Sequence, residues 1–429
     1  MSAPQNNARA GSPATAAAGL PLADAASRSP APSPDAAAGP RCDPSLTEVF
    51  FTTNPGLEDV VAEEFHRRAR AAGLEGSVVE LSPFGLAGQV LARSPRSFAA
   101  LEPVARTMRS VHHLLRPLHT FLLDPQRPLE SIRAELLGLE VPGMRQAASF
   151  RVTTHRVGDH PFTSVDVQKV AGAALQERHG CAVDLEDFAL NVRVDVFDHL
   201  CMVGLQLTRT ALSTRYWREY RPRATLKTAV AYAMLQFAGL REDDDEGTLL
   251  DPFCGSGTIL IEAAQVCPRL ELVGCDLHAE AVEGARRNLE GLGLAHRVRV
   301  EQADARLLTR LFPAETFRAV VTNPPYGVQW GQRLNFARFY RQFLEQAYCV
   351  LQPGGHLVLL VWKRGVFTRV VHQFARFEQR HVRVVETGGL YPRVFVLRKP
   401  EAGARAAAAE RTLAAGQAEL GGDSASERV

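Results

Sequence analysis

Leu249-Leu-Asp-Pro-Phe-Cys-Gly-Ser-Gly-Thr258 reads as a buried strand, a glycine-rich turn and the opening of a helix over Thr258–Val266. Gly255 and Gly257 carry no Cβ, so the chain can turn sharply there and let a ligand approach the backbone. The helix start adds unpaired N–H groups and the positive end of a dipole, a setting for a carboxylate or phosphate. A second stretch, Val320-Val-Thr-Asn-Pro-Pro-Tyr-Gly327, ends another apolar strand at Asn323. Two successive prolines cannot donate to a central ladder, so the chain must leave the sheet there. In an open α/β sheet both stretches lie at the carboxyl ends of strands, where ligands bind.

Outward from these stretches, apolar runs and helical periods alternate. Strands are expected at 248–253, 271–276, 297–301, 317–322, 356–362, 381–387 and 393–398. Helices are expected at 225–238, 258–266, 279–292, 335–351 and 366–376. This order predicts an α/β, doubly wound parallel sheet of the Rossmann class. The last two strands are separated only by Gly388-Gly-Leu-Tyr-Pro392, too short for a crossover helix, so an antiparallel hairpin should close the sheet.

Three acids end successive strands: Asp251, Asp276 and Asp304. Asp276 lies near the spacing from the glycine turn at which a nucleotide fold meets ribose hydroxyls. Asp304 falls where adenine would lie. Caps and turn residues are the competing account of each acid alone, but together they define a nucleotide-like site. No lysine follows the glycine turn in the Walker position, which disfavours a nucleoside triphosphate. A ligand with ribose, adenine and an amino-acid carboxylate fits, which describes S-adenosylmethionine. Its expected contacts are Asp251, Phe253, Gly255, Gly257, Thr258, Asp276, Leu277, Asp304, Ala305 and Asn323.

Asn323, Pro324 and Tyr326 then read as the catalytic, acceptor side of the site. The lone pair of an exocyclic base amine is delocalised into the ring. The Asn323 side-chain oxygen and the Pro324 carbonyl can each accept one of its N–H bonds, localising the lone pair and aiming it at the methyl group. Tyr326 can stack on an extruded base.

The 429-residue chain is long enough for two or three domains, and its 46% hydrophobic content suits a soluble globular protein. The net charge of +2 says nothing about nucleic acid, although lysine occurs only at 169, 227, 363 and 399, leaving arginine as the dominant cation. Seven scattered cysteines without a Cys-x-x-Cys pair argue against a disulfide framework or a metal site and for a reducing, cytoplasmic compartment. No apolar run reaches a membrane span. Residues 1–44 and 401–429 are biased in composition and expected to be disordered. From residue 46 the pattern βαββαβ predicts a ferredoxin-like unit. A small α/β unit follows, decorated by Arg156, His160, Lys169 and Arg209. Residues 209–227 then mix Arg215, Arg218, Arg221, Arg223 and Lys227 with Tyr216, Trp217 and Tyr220. Cations mixed with aromatics suit nucleic-acid contact; an ordinary linker packed on its neighbours is the alternative.

The chain resembles the THUMP-domain RNA methyltransferases. The resemblance covers 46 to about 399 and rests on Thr52-Thr-Asn-Pro-Gly-Leu-Glu-Asp59, Phe150-Arg-Val-Thr-Thr-His-Arg156, His160-Pro-Phe-Thr-Ser164, the Asp251 and Asn323 motifs, and Gly389-Leu-Tyr-Pro-Arg-Val-Phe395. Within that family it is most similar to tRNA (guanine-N2) methyltransferases acting on the sixth nucleotide of the acceptor stem. The resemblance implies a ferredoxin-like domain (45–115), a THUMP domain (116–208), a basic linker (209–223) and a class I methyltransferase domain (224–400). It further implies that the THUMP unit grips the 3′ end of tRNA through residues such as Arg156, His160, Lys169, Arg209, Arg215 and Arg218. A monomer without a metal is expected. A ribosomal RNA guanine-N2 methyltransferase, a DNA adenine-N6 methyltransferase and a non-catalytic RNA-binding adaptor remain as alternatives.

Overall fold

The structure, a computed structural model, describes residues 45–222, 225–242, 246–325, 335–362 and 364–401. The expected disordered leader and nearly all of the tail lie outside the described residues, as do Tyr326 and Arg223.

The chain opens with β1 (Thr47–Thr52), α1 (Glu58–Ala71), β2 (Val78–Leu81), β3 (Gln89–Ser94), α2 (Phe98–Arg106) and β4 (His113–Leu122). It continues with α3 (Pro128–Gly138), β5 (Ser149–Thr153), β6 (Arg156–Val157), α4 (Ser164–His179), β7 (Ala182–Val183), β8 (Leu190–Phe197) and β9 (Leu200–Gln206). The first six elements form the predicted ferredoxin-like unit, with strands in the order β2-β3-β1-β4. They do not end there. β4 pairs antiparallel with β9 from Leu115↔Gln206 to Leu122↔Leu200, so both N-terminal units share one nine-stranded sheet. A single long strand closes the first unit and opens the second, and the 115/116 boundary expected from sequence falls inside it. Helix α4 is fixed at its start by a reciprocal Thr163–Asp166 capping box and at its end by Gly180 in the left-handed region, φ 71°.

The remaining elements are α5 (Thr228–Phe237), β10 (Thr248–Asp251), α6 (Thr258–Val266), β11 (Glu271–Asp276), α7 (Ala279–Gly291), β12 (Val298–Gln302), β13 (Phe317–Thr322), α8 (Phe336–Val350), β14 (Leu351–Val361), α9 (Arg364–Phe374), β15 (Glu378–Val384) and β16 (Arg393–Arg398). Their sheet has the order β12-β11-β10-β13-β14-β16-β15. β16 is antiparallel to both its neighbours, the hairpin expected from the short connection. Apolar side chains of α5, α6 and α7 pack on one face, and those of α8 and α9 on the other. The strand order runs outward from β10 to β12, then returns to place β13 on the opposite flank of β10. That reversal is the topological switch point, where an open α/β sheet leaves a crevice.

The two halves of the molecule interlock. Asn54, only 2% exposed, donates from Nδ2 to the Glu386 carbonyl at 2.8 Å, and Glu386 N–H donates to the Pro55 carbonyl at 2.9 Å. Gly56 has φ 93° and lies so close to the hairpin that a Cβ would stand 2.1 Å from the Val384 carbonyl oxygen. Arg383 pairs with Asp59, and Leu57 and Val60 enter the same apolar cluster as Tyr232, Val385 and Val394. The Thr52–Asp59 and Gly389–Phe395 motifs, distant in sequence, are thus neighbouring parts of one joint.

The segment expected as a linker is a strap packed along that joint. Arg215 donates to Glu262 at 3.0 Å, to the Leu212 carbonyl at 2.9 Å and to the Arg109 carbonyl at 2.8 Å. Glu262, fully buried, also faces Arg109 at 3.5 Å.

Candidate active site

The crevice at the switch point is a cleft of about 720 Å³. The sheet brings to it nearly every residue the sequence nominates for a cofactor: Asp251, Phe253, Gly255, Thr258, Asp276, Leu277, Asp304, Ala305 and Asn323 all line it. Gly257 does not line it but makes it possible. As N-cap of α6 it adopts φ 78°, and Gly255 before it has φ 51°, both conformations that favour glycine.

The three acids differ in their surroundings. Asp251 is buried at 2% exposure; its Oδ1 accepts from Thr322 Oγ1 at 2.6 Å and from Phe253 N–H at 3.2 Å. Burial pushes its pKa up to about 7, against the lowering effect of those two donors. Asp251 therefore ties β10 to β13 across the switch point, besides forming part of the floor. Asp276 accepts from Gly255 N–H through Oδ2 and from His278 N–H through Oδ1, each at 3.0 Å. The carboxylate thus fixes both the glycine turn and the start of α7. Asp304 is different from the expectation. Arg306 occupies both of its oxygens, at 2.6 and 2.9 Å, and holds its carboxyl below the ordinary range. An adenine amine would have to share that carboxylate with a guanidinium two residues along, a pairing the strand-end reading did not anticipate.

Opposite the glycine turn, Asn323 follows β13. Its Oδ1 is shielded from solvent and accepts no hydrogen bond among the described residues. Buried polar atoms are almost always paired, so an orphaned acceptor in the wall of a cleft marks a place for a donor from a ligand. Pro324 is buried beside it and Pro325 lines the cleft. Tyr326 lies outside the described residues.

The cleft has one wall that sequence reasoning assigned elsewhere. Tyr220, on the strap, lines it together with Pro222, Thr225 and Leu226. Asn288 of α7 accepts from Tyr220 N–H at 2.9 Å and donates to the Tyr220 carbonyl at 2.9 Å and the Ser256 carbonyl at 3.0 Å, fastening strap and glycine turn together. Phe339 of α8 closes the far side. The aromatic-rich basic run was the available signal for Tyr220, but it pointed equally to RNA.

The nominated RNA contacts are dispersed over several elements. Arg156 bonds to His160 Nδ1 at 2.9 Å, and His160 Nε2 donates to the Asp198 carbonyl at 2.7 Å. Lys169 is exposed on α4. Arg209 lies over the Phe188 ring at 4.8 Å and reaches Asp187 at 3.4 Å. Arg215 is committed to Glu262, which makes it an internal tie before it is anything else. Arg218 donates to Thr258 Oγ1. Among the described residues no group of three His, Cys, Asp or Glu side chains could hold a metal ion, and no helix is long and apolar enough to cross a membrane.

This strand order, with a glycine turn after the first strand and Asn-Pro-Pro after the fourth, defines a class I methyltransferase. Residues 215–393 match the RMKL-like methyltransferase domain and residues 130–206 match the THUMP domain. The chain is 38% identical to the tRNA (guanine(6)-N2)-methyltransferase of Thermus thermophilus, over 81% of this chain and 98% of that protein. It is 30% identical to the tRNA (guanine(6)-N2)-methyltransferase of Archaeoglobus fulgidus, over 82% and 92% of the two chains. The crystal structure of TrmN from Thermus thermophilus superposes with a TM-score of 0.67 at 36% identity, covering 82% of this chain and 99% of that one. The chain belongs to the THUMP-domain tRNA (guanine-N2) methyltransferase family, and it is an enzyme.

Proposed function

We propose that this enzyme transfers the methyl group of S-adenosylmethionine to the exocyclic N2 of a guanosine in tRNA, at the sixth nucleotide of the acceptor stem. The observation that carries this reading is the buried Oδ1 of Asn323 in the wall of the cleft, which accepts no hydrogen bond among the described residues. The activities named for the relatives support the choice of tRNA and of guanine N2. The site fits the cofactor: its volume is that of a small-molecule pocket, and the Asp276 carboxylate accepts one backbone N–H on each oxygen, leaving further acceptor capacity for hydroxyls. Gly255, Gly257, Thr258, Asp276, Leu277, Asp304 and Ala305 would hold it, over the floor formed by Asp251 and Phe253. It supplies an electrophilic methyl group on a sulfonium.

Asn323 Oδ1 accepts one N–H of the guanine amine and the Pro324 carbonyl accepts the other. Both bonds draw the lone pair out of the ring and hold it in line. A bound S-adenosylmethionine would supply its methyl group to that lone pair, leaving with the sulfur's bonding electrons, and the product ammonium would give its proton to water. No strong base is required, so most of the rate comes from alignment. In this reading Tyr326 stacks on the base, the THUMP unit grips the 3′ end, and the enzyme works as a cytoplasmic monomer.

The test is Asn323→Ala. Single-turnover methylation of tRNA should fall by roughly 10²–10³-fold, about 2.7–4 kcal/mol in the barrier. Cofactor affinity by calorimetry should fall far less than the rate, and the melting temperature should hardly move. Near-normal transfer by the folded variant would remove the acceptor assignment. Nucleoside mass spectrometry of the methylated tRNA tests the position.

A further inference from the structure

A second cleft, of about 1120 Å³, runs between the N-terminal sheet and the methyltransferase domain, roofed by the strap. Pro222, Thr225 and Leu226 line it and the candidate active site alike, so the two spaces meet along one edge. Its lining is strongly cationic. Arg193 and Arg215 are paired, with Asp195 and Glu262. Arg218, Arg221 and Lys227 line the same space; Arg218 feels the buried Glu262 carboxylate, whereas neither Arg221 nor Lys227 has a carboxylate partner among the described residues. Glu386 is the one carboxylate in the lining among the described residues, and its Oε1 accepts from Gly389 N–H. On the floor, burial together with Lys227 pushes His112 down to about 4, and burial together with Arg193 does the same to His113. Both imidazoles are thus neutral in a field that disfavours further positive charge. Trp217 stands 75% exposed at the rim, with the Arg221 guanidinium 5.7 Å from its ring centre.

We propose that this groove carries an unpaired RNA strand between the N-terminal sheet and the edge of the candidate active site, with Arg221 and Lys227 on its phosphates and Trp217 stacked on a base. The inference rests on the functional reading above and adds the path. Unpaired cations confined in a walled groove favour a polyanion. An exposed indole flanked by arginine favours one with free aromatic faces over an acidic protein segment. Continuity with the cleft that holds Asn323 gives the strand a destination. The path differs from the surface marked by Arg156, His160 and Arg209, because strap residues Arg215, Arg218, Arg221 and Lys227 line it and those three do not.

The experiment uses the full chain and measures tRNA binding across a salt series. Arg221→Gln with Lys227→Gln should make the slope of log K against log salt shallower by about 1.4, since each phosphate left without its cation on a single strand accounts for about 0.7. Arg221→Lys with Lys227→Arg should restore the slope. Trp217→Ala should weaken binding roughly fivefold or more while Trp217→Phe retains most of it. Calorimetric affinity for S-adenosylmethionine and the melting temperature should be unchanged in all of them. An unchanged slope in the folded double variant, or competition by duplex RNA as effective as by a short unpaired oligoribonucleotide, would overturn the groove assignment and leave the methyl-transfer reading standing. Wild-type protein that binds no RNA would overturn both.

Discussion

At the scale of single residues, the site is built from carboxylates whose duties their neighbours decide. Asp251 is the clearest case, a buried acid whose proton is held up to about pH 7. A raised carboxyl pKa stabilises the fold fully below the unfolded value near 4, and that contribution is lost as the pH climbs through the folded value. Over that window the loss is on the order of 1.4 kcal/mol per pH unit. Asp251→Asn keeps an oxygen for Thr322 Oγ1 and Phe253 N–H but has no charge to bury. Its stability in urea, relative to wild type, should therefore rise between pH 5 and pH 8; a pH-independent difference would show that Asp251 is not the titrating group. The glycine turn, the strand-end acids and Asn323 were legible in the sequence because their roles follow from the ends of strands. The Arg306 clasp on Asp304 was not, since nothing in a linear pattern says whether a nearby cation will face a carboxylate or the solvent.

At the scale of elements, most helices and strands lie within a few residues of their expected positions, because apolar period and turn chemistry act locally. The strap is the exception, as its fold is imposed by partners far along the chain. Helix α7 shows how closely it fits. Gly284 sits under the Tyr220 ring, where a Cβ would come within 2.2 Å of a ring carbon. Alanine is ordinarily worth about 1 kcal/mol more than glycine inside a helix. Here Gly284→Ala should instead destabilise by about 1–3 kcal/mol through overpacking and weaken cofactor binding by shifting that wall. In a Tyr220→Ala background the same change should become neutral or stabilising. A double-mutant cycle by denaturant unfolding measures this coupling, and additive effects would mean that the ring does not rest on the glycine.

At the scale of the whole molecule, three sequence units become one body. The shared strand β4 joins the first two, and the joint around Asn54, Glu386 and Glu262 holds the third. The sequence reading divided the chain by its pattern of elements and by family resemblance, and neither carries a record of which surfaces meet. Chains with several domains often unfold in steps. With Glu262 buried between Arg109 and Arg215, this one should unfold in a single calorimetric transition. Glu262→Ala would strand two cations at the interface, at a cost of about 3–5 kcal/mol. Two resolved transitions in the wild type would contradict the picture of one body. A methyltransferase fragment beginning at residue 224 should likewise bind cofactor more weakly than one beginning at residue 209, because only the latter keeps Tyr220 and its contacts.

The joint also imposes an order in time. Asn54 and its partner Glu386 are 332 residues apart. At a synthesis rate of 5–20 residues per second, roughly 17–66 s separate their emergence from the ribosome. For that interval Leu57 and Val60 have no hairpin to pack against, and the nascent chain carries an uncovered apolar helix face. The enzyme's assembly is therefore gated by its own last hairpin, and a chain stalled before residue 382 would be a client for chaperones and proteases, whatever the state of its finished N-terminal sheet.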